Sequence, residues 1–211
     1  YEQIKVCEEE IEKTLHKWQT AEVIDEQKWE SRQKTKKVKK NDYSFDVNVY
    51  LKDIVEVDLT QIPGLTENTI LTILAETGID MSKWKNAQQF VSWASLAPNP
   101  KISGDKVLGH FKSKHSSRTN QAFKLAAWGL SNSKCHLGAM YRRLSAKKGS
   151  GIAVKAVARK LATIFYVMMK NKTEYKHTSA QEYQRKHEQR ELKKLQKKAL
   201  RMGYQIQKIA S

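Results

Sequence analysis

Apolar positions recur along this chain at steps of three and four. Ile4, Cys7, Ile11, Leu15 and Trp18 stand among mostly Glu, Lys and Gln. That spacing predicts an amphipathic helix over residues 1–30 with a narrow, coiled-coil-like seam. Over 43–51 the period changes, with Tyr43, Phe45, Val47, Val49 and Leu51 alternating with Ser44, Asp46, Asn48 and Tyr50. Period two suits a strand, but a single strand without a partner does not persist. An extended lead-in, or a helix through Val49 to Val55, stands equal to it.

Between 62 and 78 the pattern becomes more specific. Ile62-Pro63-Gly64-Leu65 leads into Thr66-Glu67-Asn68-Thr69, then apolar Ile70, Leu71, Ile73 and Leu74, and closes at Gly78. Proline fixes φ and glycine tolerates positive φ, so Pro63-Gly64 predicts a tight turn. Thr66 with a polar first turn after it reads as a helix start. The unit has the form of the second half of a helix-hairpin-helix, whose turn amides and helix dipole can cradle a nucleic-acid phosphate at Gly64 and Thr66. An ordinary helix–turn–helix connection inside a core has the same pattern.

Further along, Ala87, Phe90, Val91, Ala94 and Leu96 mark a buried helical face, expected to end at Ala97-Pro98-Asn99-Pro100 because proline lacks the amide donor. Residues 101–117 carry no helical period and predict a long polar loop, a place where function concentrates. From 118 to 144 a helical pattern returns, with Phe123, Ala127, Leu130, Leu137, Met140, Tyr141 and Leu144 on one side. Gly149-Ser150-Gly151 breaks it. A helix over 152–170 follows, with Ala153, Val157, Leu161, Ile164, Phe165 and Met168 inward, and a last one spans about 179–202 and stops at Gly203. The fold expected is mainly α: a helical coiled-coil-like arm with a basic linker over 1–40, a compact helical domain over 41–178, and a basic C-terminal helix over 179–211.

Charge sharpens the functional picture. The formal net charge is +17, but residues 1–30 and 41–100 each sum to −5, whereas 101–160 sum to +13 and 161–211 to +8. Crowding of this kind adds nothing to fold stability and asks for a polyanionic partner, nucleic acid first. No apolar run approaches membrane-spanning length and no signal peptide is visible, so a membrane role is not expected. Two distant cysteines, Cys7 and Cys135, point to a reducing cytoplasm without a disulfide framework. The start at Tyr1, in the middle of a helical pattern, suggests a fragment of something longer.

Candidate chemistry is sparse. Six histidines and two cysteines show no zinc-ligand spacing, and neither a P-loop nor a dinucleotide fingerprint is present. Ser103-Gly104 is the better candidate, because a serine beside glycine can present its hydroxyl at an exposed turn. Lys101, Lys106, Lys112, Lys114 and Arg118 surround it in sequence, a cationic setting suited to a phosphodiester. Asp105 is the one acid among 101–160, so no metal cluster forms there. A serine in a phosphate-binding loop without chemistry explains the same residues and is favoured on them alone.

Several stretches together point further. Val57-Asp58-Leu59-Thr60-Gln61-Ile62-Pro63-Gly64, Thr77-Gly78-Ile79-Asp80-Met81-Ser82, Phe90 to Leu96 and Lys101-Ile102-Ser103-Gly104 run in one order. Asn132 to Ala139, Tyr141-Arg142-Arg143-Leu144 and Ala158-Arg159-Lys160-Leu161-Ala162 continue it. Over about 41–205 the chain resembles the C-terminal half of insertion-sequence transposases of the DEDD class, those guided by a bridge RNA. The resemblance implies a bacterial or archaeal DNA recombinase, cytoplasmic and nucleoid-associated. Its RNase H-like N-terminal domain, with four acidic residues and Mg²⁺, is missing here, so no cofactor is expected in this fragment. The resemblance also implies that Ser103 joins DNA through a phosphoserine. Lys106, Arg118, Arg142 and Arg143 are candidates to meet DNA phosphates. DNA, a guide RNA and a second copy joined through the N-terminal helix are the expected partners. Similar sequences carry a second glycine where this chain has Asp105, and an acid there repels a reacting phosphate. The alternative is a non-catalytic DNA- or RNA-binding module using the hairpin and the basic helices.

Overall fold

A computed structural model describes residues 2–20, 43–104, 106–110 and 117–206. The lysine run at 34–40, Asp105, Lys112 and Lys114 lie outside the described residues. Within them the chain is mainly helical, as expected, with eight α-helices and one antiparallel pair of strands.

The first helix, α1 (Glu2–Thr20), follows the predicted spacing but does not bury the predicted seam. Leu15 is buried, whereas Ile4, Cys7, Ile11 and Trp18 remain exposed. The helix meets the domain through a polar face instead. Tyr50 donates its hydroxyl to Glu12 Oε1 at 2.9 Å, and Ser44 donates from its amide and hydroxyl to Glu8 Oε2. One buried and two exposed hydrogen bonds thus set the rotation of α1, and the seam turns away from the domain.

Period two over 43–51 does not give a strand. Asp46 accepts from the Asn48 amide and starts α2 (Val47–Val55), which buries Val47, Tyr50, Leu51 and Val55 at helical spacing. A β-branched run that fits two periods takes the one with a capping residue and a core to face. Asp58 then caps a short 3-10 turn, Leu59–Gln61. Burial pushes the Asp58 carboxyl up, but hydrogen bonds from Thr60 and Lys52 outweigh this and hold it below the usual carboxylate value.

The turn at Pro63-Gly64 forms as predicted. Gly64 sits at φ 87, and the Leu65 amide bonds the Ile62 carbonyl at 3.1 Å. Thr66 accepts from the Thr69 amide and caps α3 (Glu67–Thr77), which Gly78 ends at φ 75. Trp84, Phe90 and Trp93 then gather around α4 (Ala87–Trp93). The prolines do not stop this helix. Ser95 at φ 55 turns the chain first, with the Leu96 amide bonding the Val91 carbonyl at 2.9 Å.

The expected single helix over 118–144 is two helices, α5 (Arg118–Gly129) and α6 (His136–Lys148). Their apolar positions keep one phase across the break because both helices face the same core. Gly149 alone makes the next break, so α7 (Ser150–Asn171) starts two residues earlier than the spacing predicts. Helix α7 is the spine, packed against α4, α5 and α6. Phe165 and Tyr166 meet Phe90, Phe165 also meets Phe123, and the Tyr166 hydroxyl donates to the Trp84 carbonyl at 2.6 Å. Last comes α8 (Ala180–Arg201), which buries no residue of its own and packs on α6.

Candidate functional site

Residues 100–110 are not the irregular loop that the missing helical period predicts. They form a β-hairpin, β1 (Pro100–Ser103) and β2 (Lys106–His110), paired antiparallel. Lys101, Ile102, Ser103 and Lys106 are exposed, and Leu108 is 71% exposed. The basic, glycine-punctuated composition hid the strands, since the described side chains of this ribbon are exposed or nearly so and no apolar alternation is needed.

The register places Ser103 opposite Lys106 across a two-residue turn that Gly104 opens at φ 57. Directly paired residues point to the same face with Cβ atoms about 5 Å apart. Ser103 therefore shares its face with an ammonium group, in the form of a hydroxyl beside a cation at the tip of an exposed ribbon. An irregularity between Lys101 and Ile102 leaves Leu108 without a register partner. Lys101 pairs with Gly109.

The remaining predicted residues scatter. Arg118 opens α5 and lines a cleft with Asn68, Thr69 and Thr72 of α3. Arg142 is engaged by the protein's own backbone, with Nη1 donating to the Ser131 carbonyl at 3.0 Å and the Ser133 carbonyl at 2.8 Å. Arg143 donates to the Tyr183 hydroxyl at 2.7 Å and lies over that ring, tying α8 to α6. Gly64 has a packing role, because a Cβ there would stand 3.0 Å from the Ala126 carbonyl and from Leu130 of the α5 end. Thr66 spends its hydroxyl oxygen on the cap of α3.

Two other groups stand out near α6. Cys135 is its N-cap, with Sγ accepting from the Gly138 amide at 3.4 Å. His136 stacks on Tyr175, which in turn meets His177 edge-on. Burial pushes the Tyr175 phenol up to about 12, with the neighbouring Cys135 adding to it. Burial lowers the His136 pKa, and Lys160 and His177 lower it further against a hydrogen bond with the Thr178 backbone.

Among the described residues no group of three or more His, Cys, Asp or Glu can hold a metal ion. The Mg²⁺ implied by the resemblance for a separate N-terminal domain thus has no ligand set in these residues. Among the described residues, too, no helix is long and apolar enough to cross a membrane.

The architecture is thus a small mainly helical domain that projects a basic β-hairpin. Residues 58–142 match the family described as Transposase IS116/IS110/IS902 family. The matched segment runs from the 3-10 turn through the hairpin into α6 and includes Ser103 and Lys106. The match supports a transposase or recombinase role in an insertion sequence, and with it DNA as a partner. No curated protein matches the chain.

Proposed function

We propose that this chain is the transposase part of an RNA-guided DNA recombinase and that Ser103 is its nucleophile. The observation that carries the reading is the pairing of Ser103 with Lys106 at the tip of an exposed hairpin inside the matched segment. The Ser103 hydroxyl oxygen attacks a DNA phosphorus. An Oγ–P ester bond forms, one deoxyribose oxygen leaves, and that oxygen takes up the proton the hydroxyl gives up. The reverse step on a second strand rejoins DNA, so no oxidant or reductant is consumed. The Lys106 ammonium offsets charge that gathers on the phosphoryl oxygens. Guide RNA and a second copy, the latter meeting the exposed apolar seam of α1, complete the assembly in this reading.

In the full-length recombinase with guide RNA and both DNA partners, Ser103→Ala abolishes a covalent protein–DNA adduct seen on denaturing gels. An undiminished adduct would overturn the assignment.

One observation favours a second reading. The register partner of Ser103 is a cation, and among the described residues no carboxylate or imidazole pairs with it to serve as a general base. A DNA- or RNA-holding module without chemistry fits that tip equally. It gives salt-sensitive binding that Ser103→Ala leaves intact and no adduct under any condition.

A further inference from the structure

The inward side of α5 carries Ala122, Phe123, Ala126 and Ala127 into the core. Its outward side carries Arg118, Gln121, Leu125 and Trp128 at helical steps, all exposed. Leu125 is 64% exposed and Trp128 63% exposed. Two clefts flank this row and share Leu125. One lies between α3 and α5 and includes Arg118 and Gln121. The other lies between α5 and the start of α7, with Lys124, Trp128, Tyr141 and Val154 in its walls. The two clefts make one shallow track along α5, with a cation in each half.

Neither cleft has a carboxylate among the described residues that line it. The α5 side belongs to 101–160, which sums to +13, and the α3 side to 41–100, which sums to −5, with Glu76 held next to Arg118 by the Thr119 amide. An exposed indole and leucine flanked by Arg118 and Lys124 suit two kinds of occupant in general: a helix of another protein, or unpaired nucleic acid. A protein helix would have to be acidic as well as apolar. An unpaired strand supplies both requirements along its whole length, with bases to stack on the rings and phosphates to meet the cations. Duplex DNA fits less well, because its bases are already stacked and its contacts with proteins run through phosphates and groove edges.

We infer that the outer face of α5 is a single-strand binding track on which Trp128 stacks an unpaired base, Leu125 packs the neighbouring one, and Lys124 and Arg118 hold the phosphates between them. The inference shares with the proposed function only the premise of a nucleic-acid partner, and it is independent of Ser103. It adds a substrate class, unpaired DNA or RNA, and a set of residues other than the hairpin pair to hold it.

The test compares short oligothymidylate and oligouridylate with a mixed-sequence DNA duplex, using the 211-residue chain and fluorescence anisotropy. Trp128→Ala should weaken single-strand binding about 10-fold or more, in the range typical of one lost base stack. Trp128→Phe, which keeps an aromatic platform, should restore most of that loss. Duplex binding and the salt slope should be unchanged in both variants, whereas Lys124→Gln should lower the single-strand salt slope by about one. Trp128 is at the surface, so circular dichroism should show both variants folded. Unaltered single-strand affinity in Trp128→Ala would overturn the inference, as would an equal loss for duplex. A change of sedimentation coefficient on Trp128→Ala without nucleic acid would assign the face to protein contact instead. If duplex binding persists while the single-strand effect is absent, the track falls and the nucleic-acid reading stands.

Discussion

Ser103 and Lys106 face one another across the two-residue turn of an exposed β-hairpin. This pairing is fixed by backbone register, not by a flexible side chain reaching inward, so the cation accompanies the hydroxyl wherever the hairpin goes. A phosphate drawn to Lys106 is thereby drawn to Ser103. Lys106→Gln should lower the rate of adduct formation about 10- to 100-fold while leaving some adduct, and Lys106→Arg should recover most of it. Single-turnover gels with the full-length recombinase check this. The same variant should reduce the salt slope of DNA binding by about one. A rate equal to the parent's would remove Lys106 from the chemistry.

The hairpin was hidden in the sequence for a physical reason. Strands are read from alternation, and alternation arises where one face is buried. Here the described side chains of both strands are exposed or nearly so, and no packing demand shaped the pattern. The helices were legible because they bury faces: Phe90, Phe123, Leu161 and Phe165 sit where their spacing puts them. The α5–α6 break was not, because Leu130 and Leu137 keep the same inward phase on either side of it. Ser103 was legible as a candidate, but its partner was not, since Lys101, Lys106, Lys112 and Lys114 look alike until a register singles one out. The outer row of α5 has the same spacing as its inner row, displaced by nearly half a turn, and spacing alone does not mark an exposed row as functional.

The stretch from Asn132 to Arg143 turns out to be a corner. Gly138 lies in the first turn of α6 against the chain that leaves α5. A Cβ there would fall inside the van der Waals distance of the Ser133 carbonyl oxygen and 2.8 Å from that of Leu130. Backbone cannot move aside as a flexible side chain can. Gly138→Ala should therefore destabilise the protein by about 3 kcal/mol or more. Urea denaturation should show a lower midpoint, and a midpoint equal to the parent's would mean that the corner opens freely.

Arg142 closes the same corner from the other side, with one guanidinium nitrogen donating to two carbonyls. Both bonds are charge-assisted, but the side chain is exposed, which discounts their worth. Arg142→Ala should cost about 1 kcal/mol. Arg142→Lys should recover part of this, because both bonds come from one nitrogen and an ammonium also has donors for two oxygens. A residue whose main work was phosphate contact would behave differently: the alanine variant would keep its urea midpoint and lose a unit of salt slope in DNA binding. Measuring both quantities on one variant decides between these roles.

Stability should also depend on pH through His136. It is packed between Tyr175 and Tyr183, with His177, Lys160 and Cys135 around it. Burial, Lys160 and His177 lower its folded-state pKa below 6.5, and the hydrogen bond with the Thr178 backbone only partly opposes them. The unfolded chain therefore takes up this proton at higher pH than the folded one. As pH falls through 6.5 the unfolded state is favoured first, so the stability His136 contributes is present above 6.5 and is lost as pH drops toward the folded value. Urea midpoints at pH 7.5 and 5.5 should differ more in the parent than in His136→Asn, which cannot titrate. The local readout is sharper. His136 and Tyr183 anchor α8, which has no buried residue of its own, so amide exchange in α8 should accelerate at pH 5.5 ahead of exchange in α7. Equal acceleration in both helices would mean that the acid acts on the whole fold and not at this anchor.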